Sequence, residues 1–455
     1  MKSNLTIENM GNINNAMITI KPLTIIAGEN STGKTFVTKS LYTILDAVYQ
    51  NHFLDELLFK YKSLDMYFNI FQNSLSNPSQ QDIEFQKYYK LVLEEIQFFI
   101  IGVRESNFLQ LDNIAKKNVN KFSKFNQKIL KYFEGRLRTQ KFKKLEDIIV
   151  LIKQEINSFI YTITNQKEIT VNGISSFLKV GFKKNFQITN LKHLINKNRD
   201  KKLKLSLDSL GDIEIENENI HFSLKPNGIS QIQDIQNIIF FDSPIYTKIR
   251  KALEKNKDNL LFEKDEEKYL RGYPQYLDKL YNYIDKEYIY TPDFDDISKE
   301  IQDMMNGRLD VTRGGEINYT DKDNNIIPLS LTAMGIGNIG LIDLLIRNNI
   351  INKGSFLIMD EPEVHLHPKW QVFLAQILYK ISKSGANVIL ATHSLDFLKA
   401  FENILKKESE DAEDIIAINK MPYDKIFLGL SELEKVGLVL DDLSKPYYDL
   451  YMEDI

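Results

Sequence analysis

Three groups of residues have the types and spacing that phosphate chemistry requires. Gly28-Glu29-Asn30-Ser31-Thr32-Gly33-Lys34-Thr35 matches G-x-x-x-x-G-K-[ST]. Its glycines let backbone N–H groups converge on phosphate oxygens. A helix beginning after the loop adds the positive end of its dipole. Lys34 can reach the outer phosphates, and the Thr35 hydroxyl can ligate Mg²⁺. Asn30, Ser31 and Thr32 complete the expected cradle. In the second group, Phe356-Leu357-Ile358-Met359 runs into Asp360-Glu361-Pro362. An apolar strand ending in two carboxylates suits Asp360 for the Mg²⁺ shell and Glu361 for polarising an attacking water. The third is Ala391-Thr392-His393-Ser394, at the end of the next apolar run. There the His393 imidazole can meet a γ-phosphate or that water.

These residues need a scaffold of parallel strands joined by helices. Residues 1–27 alternate apolar and polar and predict three short strands, the last running into Gly28; a helix follows from about Gly33 to Tyr49. Residues 50–165 carry apolar residues at three- and four-residue spacing, as in Tyr89, Leu93, Ile96 and Ile100, and predict long antiparallel helices with a loop at Asn77–Gln81. Strands are expected at Ile169–Val171, Lys202–Leu207, Ile213–Ile215, Ile220–Leu224 and Ile238–Phe241, then at Ser355–Met359 and Asn387–Ala391. Helices are expected through residues 245–310, with a charged linker at Glu254–Lys268, and at Pro368–Ser384 and Leu395–Lys407. The expected architecture is α/β: a head built from residues 1–45 and 236–455, a helical insertion at 46–165, and a β-rich segment at 166–235 completing the head.

Composition bounds the function. The chain has 455 residues, 43% apolar and 26% charged, which excludes a globally disordered or collagen-like chain. Without cysteine there is no disulfide, thiolate metal site or cysteine nucleophile. No apolar run is long enough for a membrane span, so a soluble cytoplasmic protein is expected. The net charge of −4 gives no global basic character. Charge is nevertheless uneven. Residues 116–144 hold eleven basic residues against Glu134, with Phe122, Phe125, Tyr132, Phe133 and Phe142 interleaved, and a second basic run spans Lys179–Lys204. Such clustering is either an electrostatic footprint for nucleic acid or a solvated helix face whose aromatics pack inward. The acidic segment Asp411–Ile455 either docks a neighbouring subunit or packs on the head.

Gly28–Thr35, Asp360-Glu361-Pro362-Glu363-Val364-His365-Leu366-His367-Pro368 and Thr392-His393-Ser394 together resemble the ABC-type ATPases of the RecF, SMC and OLD kind. More closely, they resemble the prokaryotic AAA15/AAA21-type ATPases found as subunits of anti-phage systems such as Septu and PARIS. Where ABC transporters and SMC proteins carry an Asp, this sequence has His367, which argues against a transporter subunit. The resemblance covers residues 1–45 and about 300–400. It implies a P-loop head that binds ATP and Mg²⁺ between two copies, with a signature segment of the partner closing on the γ-phosphate. Leu331–Asn338 is the corresponding segment, with Gly335 its matching glycine and Ala333-Met334 in place of the usual Ser-Gly. Asp242 or Ser243 stands nearest the family's glutamine position. His365 and His367 are read as possible caps of the next helix. The 55 residues after Ala400 lack an acidic metal-site pattern of adequate size, so no nuclease of the OLD kind is expected in this chain and a separate effector, a nuclease or toxin, is the implied partner. The implied function is an ATP-hydrolysing sensor or scaffold in anti-phage defence. The alternatives are a RecF-like DNA-binding ATPase of repair or recombination, and an interaction module in which ATP is structural.

Overall fold

The computed structural model describes residues 1–106, 108–136, 140–196, 201–226, 228, 235–242, 245–250, 253, 272–286 and 294–453. Ser243 and the charged linker expected at Glu254–Lys268 lie outside the described residues. The chain forms two compact units, one of Met1–Tyr49 with Phe177–Ile455 and one of Gln50–Ser176. The contacts therefore divide at 49/50 and 176/177, where the sequence suggested 45/46 and 165/166.

The first unit begins with β1 (Ser3–Met10) and β2 (Ile13–Ile20), an antiparallel hairpin closing at the Met10–Ile13 pair. The fully buried β3 (Leu23–Ala27) leads through the glycine loop into α1 (Lys34–Tyr49).

The second unit is helical. It contains α2 (His52–Ser74), α3 (Gln80–Arg104), α4 (Phe108–Arg136) and α5 (Glu146–Thr164). Phe53, Phe68, Phe71, Phe133, Phe159 and their apolar neighbours form one core. Aromatic rings dominate it: Phe68 stacks on Tyr89 at 4.0 Å, and Phe85 on Tyr132 at 3.7 Å. Ser79 and Asp82 cap α3 reciprocally.

The unit boundary falls inside α6 (Gln166–Phe186), which corrects the strand expected at Ile169–Val171. Locally Ile-Thr-Val favours β structure. The buried positions Thr170, Ile174, Leu178 and Phe182, however, recur every four residues, so one helical face is buried and tertiary packing overrides the short β signal.

The first unit then resumes. β4 (Lys202–Leu207), β5 (Gly211–Glu216) and β6 (Asn219–Leu224) extend the hairpin into an antiparallel sheet of order β2-β1-β4-β5-β6. β7 (Ile238–Phe241) is followed by α7 (Tyr276–Asp285) and α8 (Asp295–Met305). β8 (Gly307–Val311), β9 (Ile317–Asp321) and β10 (Ile326–Pro328) form a small antiparallel sheet; β8 begins inside the 245–310 stretch expected to be helical, and β9 and β10 follow it. Next come α9 (Met334–Arg347), β11 (Phe356–Asp360), α10 (Pro368–Lys383), β12 (Asn387–Thr392), α11 (Leu395–Ile415), β13 (Ile416–Lys420) and α12 (Glu432–Glu453). Here β13 is a strand that the sequence reading did not contain.

The central sheet has the order β13-β3-β12-β11-β7, and every pairing in it is parallel. Its strands are apolar runs rather than alternating ones because they are buried on both faces. The fold is thus α/β, with its parallel and antiparallel strands in separate sheets and with long helical segments.

Candidate functional site

Parallel register brings the three sequence groups together. Ala27 pairs with Thr392, and Ala391 pairs with Asp360, so the loop after β3, His393 and Glu361 leave adjacent strand ends on one edge. Ligands bind at such carboxyl edges of parallel sheets. Asp242 follows β7, the next strand over.

The glycine loop is held by its neighbours. Gly28 has φ +155°, and a Cβ there would lie 2.0 Å from the Met421 carbonyl oxygen. Gly33 has φ +100°, with Ile13 Cγ1 2.7 Å from the position a Cβ would take. Only glycine fits at either point. The tip residues Glu29, Asn30 and Ser31 are exposed, while Thr32 donates to the Glu29 carbonyl at 2.8 Å. Lys34 is buried, and its Nζ donates to the carbonyls of Gly28 (2.8 Å) and Glu29 (2.7 Å). Burial lowers its pKa, against the opposing pull of the Glu361, Asp360, Glu363 and Glu29 carboxylates.

Asp360 and Thr35 meet. The Thr35 side chain hydrogen-bonds the Asp360 carboxylate. Burial raises the Asp360 carboxyl to about 6, with the Thr35 hydrogen bond opposing and Asp242 adding repulsion. Its Oδ1 is buried and has no hydrogen-bond partner among the described residues. A buried carboxylate oxygen left without a donor beside a hydroxyl is the donor set Mg²⁺ takes from a protein that leaves most of its shell to phosphates and water. Accordingly, among the described residues no cluster of three or more His, Asp or Glu gathers as a metal cage. These residues fit the ion.

Glu361 takes φ +50°, a left-handed conformation uncommon for a non-glycine residue, while its N–H donates to the Ala391 carbonyl at 2.9 Å. This turn aims its carboxylate at His393: Oε1 lies 3.0 Å from Nδ1. Both side chains are partly exposed.

Glu363 is a participant that the sequence reading passed over. It is buried, accepts a hydrogen bond from Thr392 Oγ1 at 2.5 Å, and has its carboxyl pKa raised by burial. Its place two residues after Glu361 was the available signal. Tyr276 is another. Its hydroxyl donates to Asp242 Oδ2, and burial with the Asp242 charge pushes its pKa far up. A tyrosine among Tyr273, Tyr281 and Tyr283 in a helical pattern gives no sequence clue to such a contact.

The remaining expected residues fall as follows. His367 caps α10, its Nδ1 accepting from the Lys369 N–H at 3.2 Å. His365 does not cap; it is exposed and lines an open cleft of about 1010 Å³ together with Asn30, His393 and Tyr447. Gly335 lies in the first turn of α9, where a Cβ would meet Leu366 Cδ2 at 2.7 Å.

Fold and site together define the class, an α/β ATPase domain with a phosphate-loop signature. The chain belongs to the AAA ATPase domain family AAA_15, which matches residues 1–398. Among solved structures it is similar to the SMC head domain from Thermotoga maritima, with 9% identity, a TM-score of 0.34, and coverage of 88% of this chain and 91% of that one. It is also similar to the Smc head domain with an extended coiled coil, bound to the C-terminal domain of ScpA, from Pyrococcus furiosus, with 11% identity, a TM-score of 0.37 and the same coverage of 88% and 91%. No curated protein matches the chain. Among the described residues, no helix is long and apolar enough to cross a membrane.

Proposed function

We propose that this protein hydrolyses ATP with Mg²⁺ at the strand-edge site, and that the nucleotide state of paired heads controls a separate effector, a nuclease or toxin, in a cytoplasmic anti-phage system. The observation that carries the hydrolytic part is the convergence of Lys34, Thr35, Asp360, Glu361 and His393 on one edge of the parallel sheet.

In this reading the N–H groups of Gly28–Gly33, with Asn30, Ser31 and Thr32 at the tip, cradle the phosphates. Lys34 leaves its loop carbonyls for the outer phosphate oxygens. Thr35 and Asp360 hold Mg²⁺, which when bound neutralises phosphate charge. Glu361 orients and polarises the attacking water, and His393 contacts the γ-phosphate from beside it. The chemistry is phosphoryl transfer to water, so positioning and charge stabilisation suffice and no covalent intermediate is required. Gly335 at the start of α9 is the point offered to the second head. The effector and defence roles are supported by the resemblance of Gly28–Thr35, Asp360–Pro368 and Thr392–Ser394 alone.

The test is affinity purification of tagged Glu361→Gln protein from a host carrying its native gene neighbours, alongside ATP turnover of the wild type. A stoichiometric protein that wild-type hydrolysis releases supports the effector reading. Nucleic acid without protein overturns it in favour of a RecF-like DNA-binding ATPase. Absence of ATP turnover in the wild type, with every neighbour present, removes the hydrolytic reading itself.

A further inference from the structure

Between Asn113 and Lys131, the outward face of α4 in the second unit is polar and basic. Its inward positions, Leu111, Ala115, Phe122, Ile129 and Phe133, are buried in the unit's core. Between Asn113 and Glu134, every exposed side chain among the described residues is Lys, Asn or Gln, apart from Glu134 itself. Lys117, Lys124 and Lys131 stand at two-turn intervals of about 10 Å and make a line about 21 Å long. Among the described residues none of these three has an ion-pair partner. Lys121 and Lys128 fall between them. Lys121 pairs with Glu95 at 2.5 Å, and Lys128 sits 4.0 Å from the centre of the Tyr88 ring.

We infer that this face binds duplex DNA through its phosphate backbone, without reading base sequence. Three lysines in line, Lys117, Lys124 and Lys131, with Lys128 and amide side chains among them, supply the charge and the donors that phosphate oxygens take. The helix is committed to its own core by its apolar face, so it offers a ridge of cations rather than a free helix able to enter a groove. Single strands are bound by exposed aromatic platforms. Here Phe122 and Phe133 are buried, while Phe125 and Tyr132 pack against the core. A protein partner favours a contact with aromatic, Met and Arg side chains at its apolar core, where lysine is depleted. A membrane surface needs apolar side chains to insert. The exposed face between Asn113 and Glu134 has neither.

The inference does not depend on ATP hydrolysis, and its test uses the full chain. Fluorescence anisotropy compares wild type with the triple variants Lys117→Gln/Lys124→Gln/Lys131→Gln and Lys117→Glu/Lys124→Glu/Lys131→Glu. The probes are two unrelated duplexes of about 25 base pairs and an oligo-dT of the same length, across about 50 to 200 mM salt. The wild type is expected to bind both duplexes equally and more tightly than oligo-dT. The Gln variant is expected to lose affinity about tenfold or more, and its log–log salt slope to flatten by about 2.7. The Glu variant should lose more; if its melting curve shows misfolding, the milder Gln variant decides. Unchanged isotherms in a folded Gln variant, a preference for oligo-dT, or no duplex binding by the wild type each overturn the inference.

Discussion

The Nδ1 of His393 and the Oε1 of Glu361 lie 3.0 Å apart across the ends of neighbouring strands. Two side chains so coupled act as one unit if Glu361 orients water while His393 holds the phosphate end. Glu361→Gln is then expected to bind ATP normally and to turn over about 100-fold or more slower. His393→Ala should also slow turnover. The double variant should be no slower than Glu361→Gln alone, because effects within a unit do not multiply. Single-turnover kinetics beside nucleotide-binding measurements check this. Wild-type-like turnover by Glu361→Gln sinks the base assignment, and multiplicative losses separate the two roles.

Asp360 is costly to the empty protein. Its folded carboxyl binds a proton more tightly than an exposed one, with a value raised from 3.8 to about 6 by burial. Its contribution to stability is therefore complete below 3.8 and is lost as pH rises through about 6. At neutral pH the buried charge costs up to about 3 kcal/mol. Asp360→Asn should raise the melting temperature of the nucleotide-free protein by several degrees near pH 7.5, and by little at acid pH. The same variant should lose any stabilisation by Mg²⁺ with ATP. A lower melting temperature at neutral pH would show that the carboxylate is structural.

How far the sequence disclosed this arrangement follows from local signals. Gly28–Thr35 and the Phe356–Glu361 run are contiguous, so strand, turn and helix could be read from neighbours along the chain. The helical character of 50–165 was legible because Tyr89, Leu93, Ile96 and Ile100 mark one face and do line the core. The helix at 166–186 was not, because Ile169-Thr170-Val171 is β-prone locally and its helical face is apparent only over four turns. β13 escaped because Ile416–Ile418 offers three apolar residues after a long helix, and only pairing with β3 makes them a strand. The partnerships of Glu363 with Thr392 and of Tyr276 with Asp242 depend on sheet order, which no single stretch encodes.

Two glycines divide stability from function. A Cβ at Gly28 would lie 2.0 Å from a backbone oxygen, that of Met421, which cannot swing aside. Gly28→Ala should cost about 2 to 4 kcal/mol and lower the yield of folded protein. At Gly335 the obstacle is Leu366 Cδ2, the end of a flexible side chain, and no positive φ is involved. Gly335→Ala should therefore cost less than about 1.5 kcal/mol. If α9 meets a second head, it should nonetheless reduce ATP turnover. Chemical denaturation and turnover, measured on both variants, check the contrast; equal destabilisation removes it.

Asp82 ties the start of α3 to the end of α4 in the helical unit. Burial alone would raise its carboxyl. The Ser79 N–H, the Tyr132 and Ser79 side chains and the Arg136 guanidinium outweigh burial and hold it below its ordinary value. Tyr132 donates to Oδ1 at 2.7 Å, and an Arg136 nitrogen lies 3.1 Å from the same oxygen. A depressed carboxyl makes the folded state bind fewer protons than the unfolded one. Its stabilisation is thus complete above the unfolded value and falls away as pH drops through the folded one. The helical unit should lose stability below about pH 4. Asp82→Asn keeps the shape but removes the charge, and so should flatten that acid limb while costing about 1 to 3 kcal/mol at pH 7. Hydrogen exchange at the α3 N-terminus, followed against pH, reads the effect on this unit alone. An unchanged acid limb in Asp82→Asn would mean that other carboxylates govern it.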